Sequence, residues 1–261
     1  MDTIDLLNLK HWFSNYCRTF YSPDGEDQKN IVLKELHTQQ VSSNMRSIAG
    51  AVLHNRNKII IAEAIGLLHD VGRFPQYARY KTFRDSISVN HGKLGAEVIE
   101  EENVLGRIPL NEQEVIIEAV RFHNAFAVPD GLDLETTFFL KMVRDADKLD
   151  IWRVFAEFYE KGTAERESAV GLGLPDTPEY SEAVLACLAE KRLATLADLK
   201  TLCDFRIMQL TWVYDLNFPV SCRLAAERGM IDRIISTLPE TEDIMPAVSG
   251  LKRYMSEKAA S

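Results

Sequence analysis

The stretch IIIAEAIGLLHDVGRF (residues 59–74) joins the most apolar run of the chain to a His-Asp pair. His69 follows Ile61 and Ile65 at four-residue steps, a spacing that is typical of one helix face. Glu63 interrupts the run, and the run is too short to cross a bilayer. The pattern therefore predicts a buried helix that directs His69 into a core and ends beside Asp70.

Apolar residues recur at three and four positions through most of the chain, and sustained alternation typical of strands is absent. We therefore predict an all-α fold. The predicted helices lie at 31–49, 58–70, 88–102, 112–124, 134–160, 179–189, 195–215, 221–237 and 242–258. A Gly- and Pro-containing stretch at 171–178 predicts a helical domain over 1–165 and a C-terminal helical part over 166–261 that packs on the same core.

Composition excludes several classes of protein. The chain of 261 residues is 46% hydrophobic and 26% charged, as globular proteins are, and its net charge of −9 argues against a general nucleic-acid-binding surface. The four cysteines form no CxxC pair, and residues 1–12 carry acids where a signal peptide carries basic residues. We expect a cytoplasmic protein with reduced thiols and no membrane partner, and self-association stays open.

Four of the six histidines share helical stripes with apolar residues, whereas His11 and His54 do not. These four are His37, His69, His91 and His123. A single buried imidazole is usually satisfied by a backbone carbonyl. Four buried together are costly unless they share a partner, and one cation would satisfy all of them. The stripes therefore predict a metal site in the core.

Carboxylates complete the predicted site. Asp70 directly follows His69, and its two oxygens could bridge two ions. On the later helix Asp145 and Asp147 each align with apolar residues, so periodicity leaves both as candidates.

The ordered set His, His-Asp, His, His, Asp resembles the HD-domain superfamily of metal-dependent phosphohydrolases over about residues 30–160. The matching motifs are HTQQV (37–41), LLHDVGRF (67–74), NHGKLGAEVI (90–99), VRFHN (120–124) and RDADKLD (144–150). The resemblance implies an HD-like helical bundle with a C-terminal helical extension. It also favours Asp147 as the last ligand, because the family places that residue in an Ala-Asp context.

The resemblance further implies two metal layers, with His37, His69, Asp70 and Asp147 on one ion and Asp70 bridging to a second ion on His91 and His123. The imidazole and carboxylate ligands suit Mn, Fe, Co, Ni or Zn. The HHE and GYP elements of cyclic-dinucleotide phosphodiesterases are missing after His123. VGRF follows Asp70 where guanosine-tetraphosphate hydrolases have an acidic pair, so the chain resembles the broad, poorly specified branch.

The predicted reaction is hydrolysis of a small phosphate ester by metal-activated water. Residues 71–93 carry five Lys or Arg residues and one acid, Asp85, which predicts an anionic substrate. Among the basic residues, Arg73 and Lys148 are the candidates for contacting it beside the catalytic Asp70. A nucleotide is one candidate substrate, because residues 74–83 carry four aromatics that could stack on a base, although core packing is the simpler interpretation of them.

Two alternatives share this ligand set. Some proteins of the same type are diiron oxygenases resembling inositol oxygenase, and the ligands alone do not separate oxygenase from hydrolase. A non-catalytic nucleotide sensor that retains the metal site is the third hypothesis.

Overall fold

The computed structural model describes residues 1–161, 169–170 and 172–260. Within those residues the fold is all-α and contains no strand, as predicted. Twelve α-helices are described: α1 (Thr3–Thr19), α2 (Gly25–Val52), α3 (Arg56–Leu68), α4 (Arg73–Tyr80), α5 (His91–Glu101), α6 (Leu110–Phe122), α7 (Leu134–Glu160), α8 (Glu182–Ala189), α9 (Leu202–Thr211), α10 (Pro219–Glu227), α11 (Met230–Ile235) and α12 (Ile244–Ala260).

The chain divides into two compact units. The first contains Met1–Asp150, and most of the chain from Ile151 onward belongs to the second, so α7 contributes residues to both. The boundary predicted at 165/166 lies outside the described residues. No helix in the described part of the chain is both long enough and apolar enough to span a membrane.

Helix α1 was missing from the predicted elements. Asp2 caps it by accepting hydrogen bonds from the backbone N–H groups of Ile4 and Asp5, and the Asp5 carboxylate accepts one from the Asp2 N–H. Leu6, Leu9 and Phe13 are buried, but Ile4 and Leu7 are exposed. Because α1 carries apolar residues on both faces, its sequence shows no clean hydrophobic stripe.

Two predicted C-terminal helices are interrupted in the structure. The segment predicted as one helix at 195–215 contains α9 between two short 3₁₀ turns, Leu196–Asp198 and Trp212–Asp215. The segment predicted at 221–237 breaks at Gly229, whose φ of 64° lies in the left-handed region. Apolar periodicity continues across both breaks, which is why it did not reveal them.

Close packing of α2 against α3 depends on Gly66. A Cβ atom built on Gly66 would lie 2.8 Å from both the Ser42 Cα and the Met45 Cγ, which is closer than atoms pack. The Ser42 hydroxyl also donates to the Glu63 carbonyl at 2.8 Å. The two helices therefore approach closely enough for His37 on α2 to face His69 at the end of α3.

The second unit has its own core. Trp152 is fully buried, and its indole N–H donates to the Gln209 carbonyl at 2.9 Å. The rings of Phe155 and Phe205 pack edge to face with centroids 4.8 Å apart. All four cysteines of the chain are free thiols, as predicted, and all four are buried.

Candidate metal centre

The predicted ligands come from five helices of the first unit. His37 lies within α2 and Asp147 within α7, whereas the other four residues lie at helix ends. His69 and Asp70 follow α3, His91 is the first residue of α5, and His123 follows α6. All four histidines are buried, so the sequence stripes correctly predicted that these side chains face a core, and Asp70 is buried with them.

Each of the four imidazoles is held from outside by its Nδ1 atom. The outer partners are the Asp150 carboxylate for His37 (2.7 Å), the Gly66 carbonyl for His69 (2.8 Å), the Asp85 carboxylate for His91 (2.7 Å) and the Val120 carbonyl for His123 (2.8 Å). Since these partners are acceptors, each Nδ1 donates its proton outward. The Nε2 atoms are the ones that face the centre, as in metal-binding histidines whose other nitrogen is hydrogen-bonded.

The first group of ligand atoms surrounds the Oδ2 atom of Asp70. His37 Nε2 lies 3.5 Å from this oxygen and His69 Nε2 lies 3.7 Å from it. Asp147 Oδ1 lies 3.1 Å from His37 Nε2 and 3.8 Å from His69 Nε2. His37, His69 and Asp70 therefore converge within reach of one ion, and Asp147 converges with His69 and His123.

The second group surrounds the other oxygen of the same carboxylate. Asp70 Oδ1 lies 3.5 Å from His91 Nε2 and 3.7 Å from His123 Nε2. The two Nε2 atoms are 3.0 Å apart. Because both rings donate through Nδ1, two lone pairs face each other at that distance and repel unless a cation lies between them. Asp70 therefore offers one oxygen to each group, which is the arrangement of a bridging ligand.

Unsatisfied polar atoms test whether a metal fits this site. The Nε2 atoms of His37 and His69 and the Oδ1 atom of Asp147 are enclosed and have no hydrogen-bond partner among the described residues. Buried polar atoms without partners are costly. A proton on His37 would pair its Nε2 with Asp147 Oδ1, whereas a divalent cation would satisfy all three atoms. Asp145 is also buried, but no Asp145 atom belongs to a potential ligand group within the described chain. The geometry thus favours Asp147 where periodicity left two candidates.

Electrostatics keep most of these groups in the form that binds metal. Burial lowers the pKa of His69 to about 4, and burial together with the charge of Arg73 lowers the pKa of His91 to about 3. Burial raises the pKa of Asp70, but the charge of Lys34 and neighbouring imidazoles hold it well below its usual range. At neutral pH these three residues therefore carry free lone pairs or a negative charge.

His37 behaves differently. Burial and the charge of Lys34 lower its pKa, but the nearby carboxylates of Asp147 and Asp150 outweigh both and raise the pKa to about 9. Without metal, His37 is therefore protonated at neutral pH, and a metal ion must displace that proton.

Arg73 lies beside the centre, and one terminal nitrogen of its guanidinium group already makes hydrogen bonds within the protein. Its NH1 atom donates to Gln76 Oε1 (2.9 Å), the Phe83 carbonyl (2.5 Å) and Asp85 Oδ1 (3.0 Å). Its Nε atom lies 3.5 Å from Asp70 Oδ1. Lys148 donates to the Arg144 carbonyl at 3.2 Å and is partly exposed. Contact of Arg73 or Lys148 with a substrate stays a prediction.

Sequence reasoning missed three residues that organise the site. Lys34 Nζ lies 2.7 Å from Asp70 Oδ2, and Asp85 and Asp150 hold two of the imidazoles. Helical spacing could have revealed two of them, since Lys34 precedes His37 and Asp150 follows Asp147 by three residues. Asp85 stands out in the sequence as the one acid within a basic segment, but that pattern does not show that it holds His91.

Residues 36–152 match the family model of the HD domain. This stretch belongs to the HD-domain superfamily. All six predicted ligands fall inside the matched residues. Comparison with curated proteins and with solved structures finds no match.

HD domains bind divalent metals and are typical of metal-dependent phosphohydrolases. The histidine and aspartate groups of this HD domain are positioned to hold such ions. Family and geometry therefore agree on the kind of centre.

Proposed function

We propose that this HD domain hydrolyses a small phosphate ester at a centre of two divalent metal ions. The observation that carries the proposal is the position of Asp70, whose two oxygens each face a separate pair of imidazole Nε2 atoms. In this proposal His37, His69, Asp70 and Asp147 hold one ion, and Asp70, His91 and His123 hold the other. Mixed nitrogen and oxygen ligands suit Mn, Fe, Co, Ni or Zn better than Mg or Ca.

Two adjacent ions bring a water nucleophile with a lowered pKa and a Lewis acid for the phosphoryl oxygens. The chain's own residues would do the rest. Outward hydrogen bonds fix the imidazoles, so the ligand atoms are held in place before a substrate arrives. Lys34 and Arg73 lie on either side of Asp70 and supply positive charge for an anionic group.

A nucleotide is one substrate consistent with the surroundings. Of the four aromatics at 74–83, Phe74 and Tyr77 are buried in the core. Phe83 is partly exposed, and its ring centroid lies 5.3 Å from the Lys34 ammonium. In the proposed enzyme, Phe83 is the side chain that would meet a base or another planar group attached to the phosphate.

The test is metal analysis coupled to a panel of phosphomonoesters and phosphodiesters, assayed anaerobically with Mn²⁺. We expect phosphate or alcohol release that Asp70→Asn abolishes together with metal binding, since it changes the carboxylate shared by both groups. Glu63→Gln is a matched control, because Glu63 is another buried carboxylate paired with a lysine, Lys10, at 2.5 Å.

The same protein separates the two alternatives. Oxygen consumption by iron-loaded protein with a polyol or phosphonate, and no hydrolysis with Mn²⁺, would replace the hydrolase by an oxygenase. Tight nucleotide binding without any turnover would replace it by a sensor.

A further inference from the structure

Lys34 reaches the same oxygen atom that the first ligand group surrounds. Its ammonium lies 2.7 Å from Asp70 Oδ2, and the Nε2 atoms of His37 and His69 lie 3.5 and 3.7 Å from that oxygen. The lysine side chain is only 16% exposed, so this is an enclosed ion pair. A metal ion bound to Oδ2 would be placed next to the ammonium, and two neighbouring positive charges with little water between them repel strongly.

Arg73 faces the other Asp70 oxygen but is not free to exchange in the same way. Three acceptors hold its NH1 atom, one of them the Asp85 carboxylate that also holds His91. For Lys34, the described contacts are the Asp70 carboxylate and the face of Phe83. An ammonium on a flexible four-carbon stem can leave one anion for another while its stem stays packed.

We propose that Lys34 is an exchangeable counter-ion of Asp70, which holds Oδ2 in the metal-free protein and turns to the anionic group of a ligand once a metal takes that oxygen. Lys34 then competes with the metal for the Asp70 carboxylate, and it strengthens binding of the anion. One side chain thereby links metal loading to ligand binding. The second half of this proposal rests on the proposed function, whereas the first half requires only a metal.

The test compares Lys34→Met with Lys10→Met. Both variants remove an ammonium paired with a buried carboxylate and keep most of the stem, but the partner of Lys10 is Glu63, outside the ligand groups. Two titrations are made at pH 7.5, Mn²⁺ into metal-free protein and inorganic phosphate into Mn²⁺-loaded protein.

For Lys34→Met we expect Mn²⁺ to bind about 10-fold more tightly, because a competing charge is gone. We expect phosphate to bind about 10-fold more weakly, because a charge-assisted hydrogen bond is lost. Lys34→Arg should restore phosphate binding, and Lys10→Met should change neither constant. A purely structural role would weaken both, so the opposite signs are diagnostic.

Unchanged or weaker Mn²⁺ binding in Lys34→Met overturns the proposal, and unchanged phosphate binding overturns its second half. Lys34→Gln repeats both titrations if the methionine variant does not fold. Neither titration needs turnover, so a protein that cleaves no ester would refute the proposed hydrolase while the Mn²⁺ titration still decided whether Lys34 competes for Asp70.

Discussion

Asp85→Asn should weaken binding of the metal ion on His91 and His123 and leave binding of the other ion unchanged. The Asp85 carboxylate accepts hydrogen bonds from His91 Nδ1 at 2.7 Å, Arg73 NH1 at 3.0 Å and Asn124 Nδ2 at 2.9 Å. An asparagine has one acceptor oxygen and no charge. The bonds to His91 and Arg73 therefore lose part of the about 1.5–3 kcal/mol that a hydrogen bond to a charged group contributes. The ring of His91 is then no longer fixed toward Asp70.

Loss of such an outer partner typically lowers metal affinity about 10- to 100-fold. We therefore expect the ion on His91 and His123 to bind that much more weakly, with the ion on His37 and His69 unchanged. Asp150→Asn is the matched reciprocal variant, because Asp150 holds His37 Nδ1 at 2.7 Å. It should weaken the first ion and spare the second.

Calorimetric titration of metal-free protein with Mn²⁺, analysed as two sites, measures both constants in each variant. Metal analysis after gel filtration gives an independent count of bound ions. Equal weakening of both sites by Asp85→Asn, or no weakening of either, would refute the inference that the outer carboxylates act on separate ions.

The pKa of His37 and the packing at Gly66 give further predictions. His37, with its pKa raised to about 9, must lose a proton when metal binds, so Mn²⁺ affinity should rise about 10-fold per pH unit between pH 7 and 9. The folded protein also binds this proton more tightly than the unfolded chain does, which stabilises metal-free protein. That stabilisation is complete below pH 6.5, the ordinary pKa of histidine, and is lost as the pH rises through 9. The thermal midpoint of metal-free protein should therefore fall from pH 7 to 9, and a flat profile in both experiments would contradict the assignment. The added methyl group of Gly66→Ala would meet the Ser42 backbone, so this variant should lower the free energy of unfolding in urea by about 1–3 kcal/mol. Gly50→Ala is the control: its methyl group would meet nothing within 4 Å, and alanine is the better helix former, so it should stabilise α2 by up to about 1 kcal/mol.

The histidine ligands of the centre could be predicted from the sequence because they lie on periodic apolar stripes. The stripe through Ile61 and Ile65 placed His69 inside, and the structure confirms that it is buried. Asp145 and Asp147 could not be separated in this way, because both lie near the buried side of α7. The structure places Asp147 Oδ1 3.1 Å from His37 Nε2. The choice depends on how α7 packs against α2, which is tertiary information.

The charged residues around the ligands were harder to predict, because what they contact is distant in sequence. Lys34 lies one helical turn before His37, which places it near the site, but its ion-pair partner Asp70 is 36 residues away and its local pattern does not identify that partner. Helix α4 was missed because the short segment RFPQYARY reads as a basic loop, with a proline near its start, although Phe74 and Tyr77 are buried. Proline is tolerated in a first turn, so it did not exclude a helix.

Two of the ligands are also the residues that end their helices. His69 and His123 have nearly the same backbone conformation, with φ and ψ of −56° and −37° and of −57° and −33°, and each ring bonds the carbonyl three residues back at 2.8 Å. The ring that presents a nitrogen to the metal thus also satisfies a carbonyl that the last turn would leave open. The position at which each helix ends therefore also sets the direction of the ligand. Inserting one residue between Gly66 and His69 would uncap α3 and would turn the imidazole by about 100° around the helix axis. Insertions and deletions within these final turns should be tolerated far less well than equally short changes in the loops that follow.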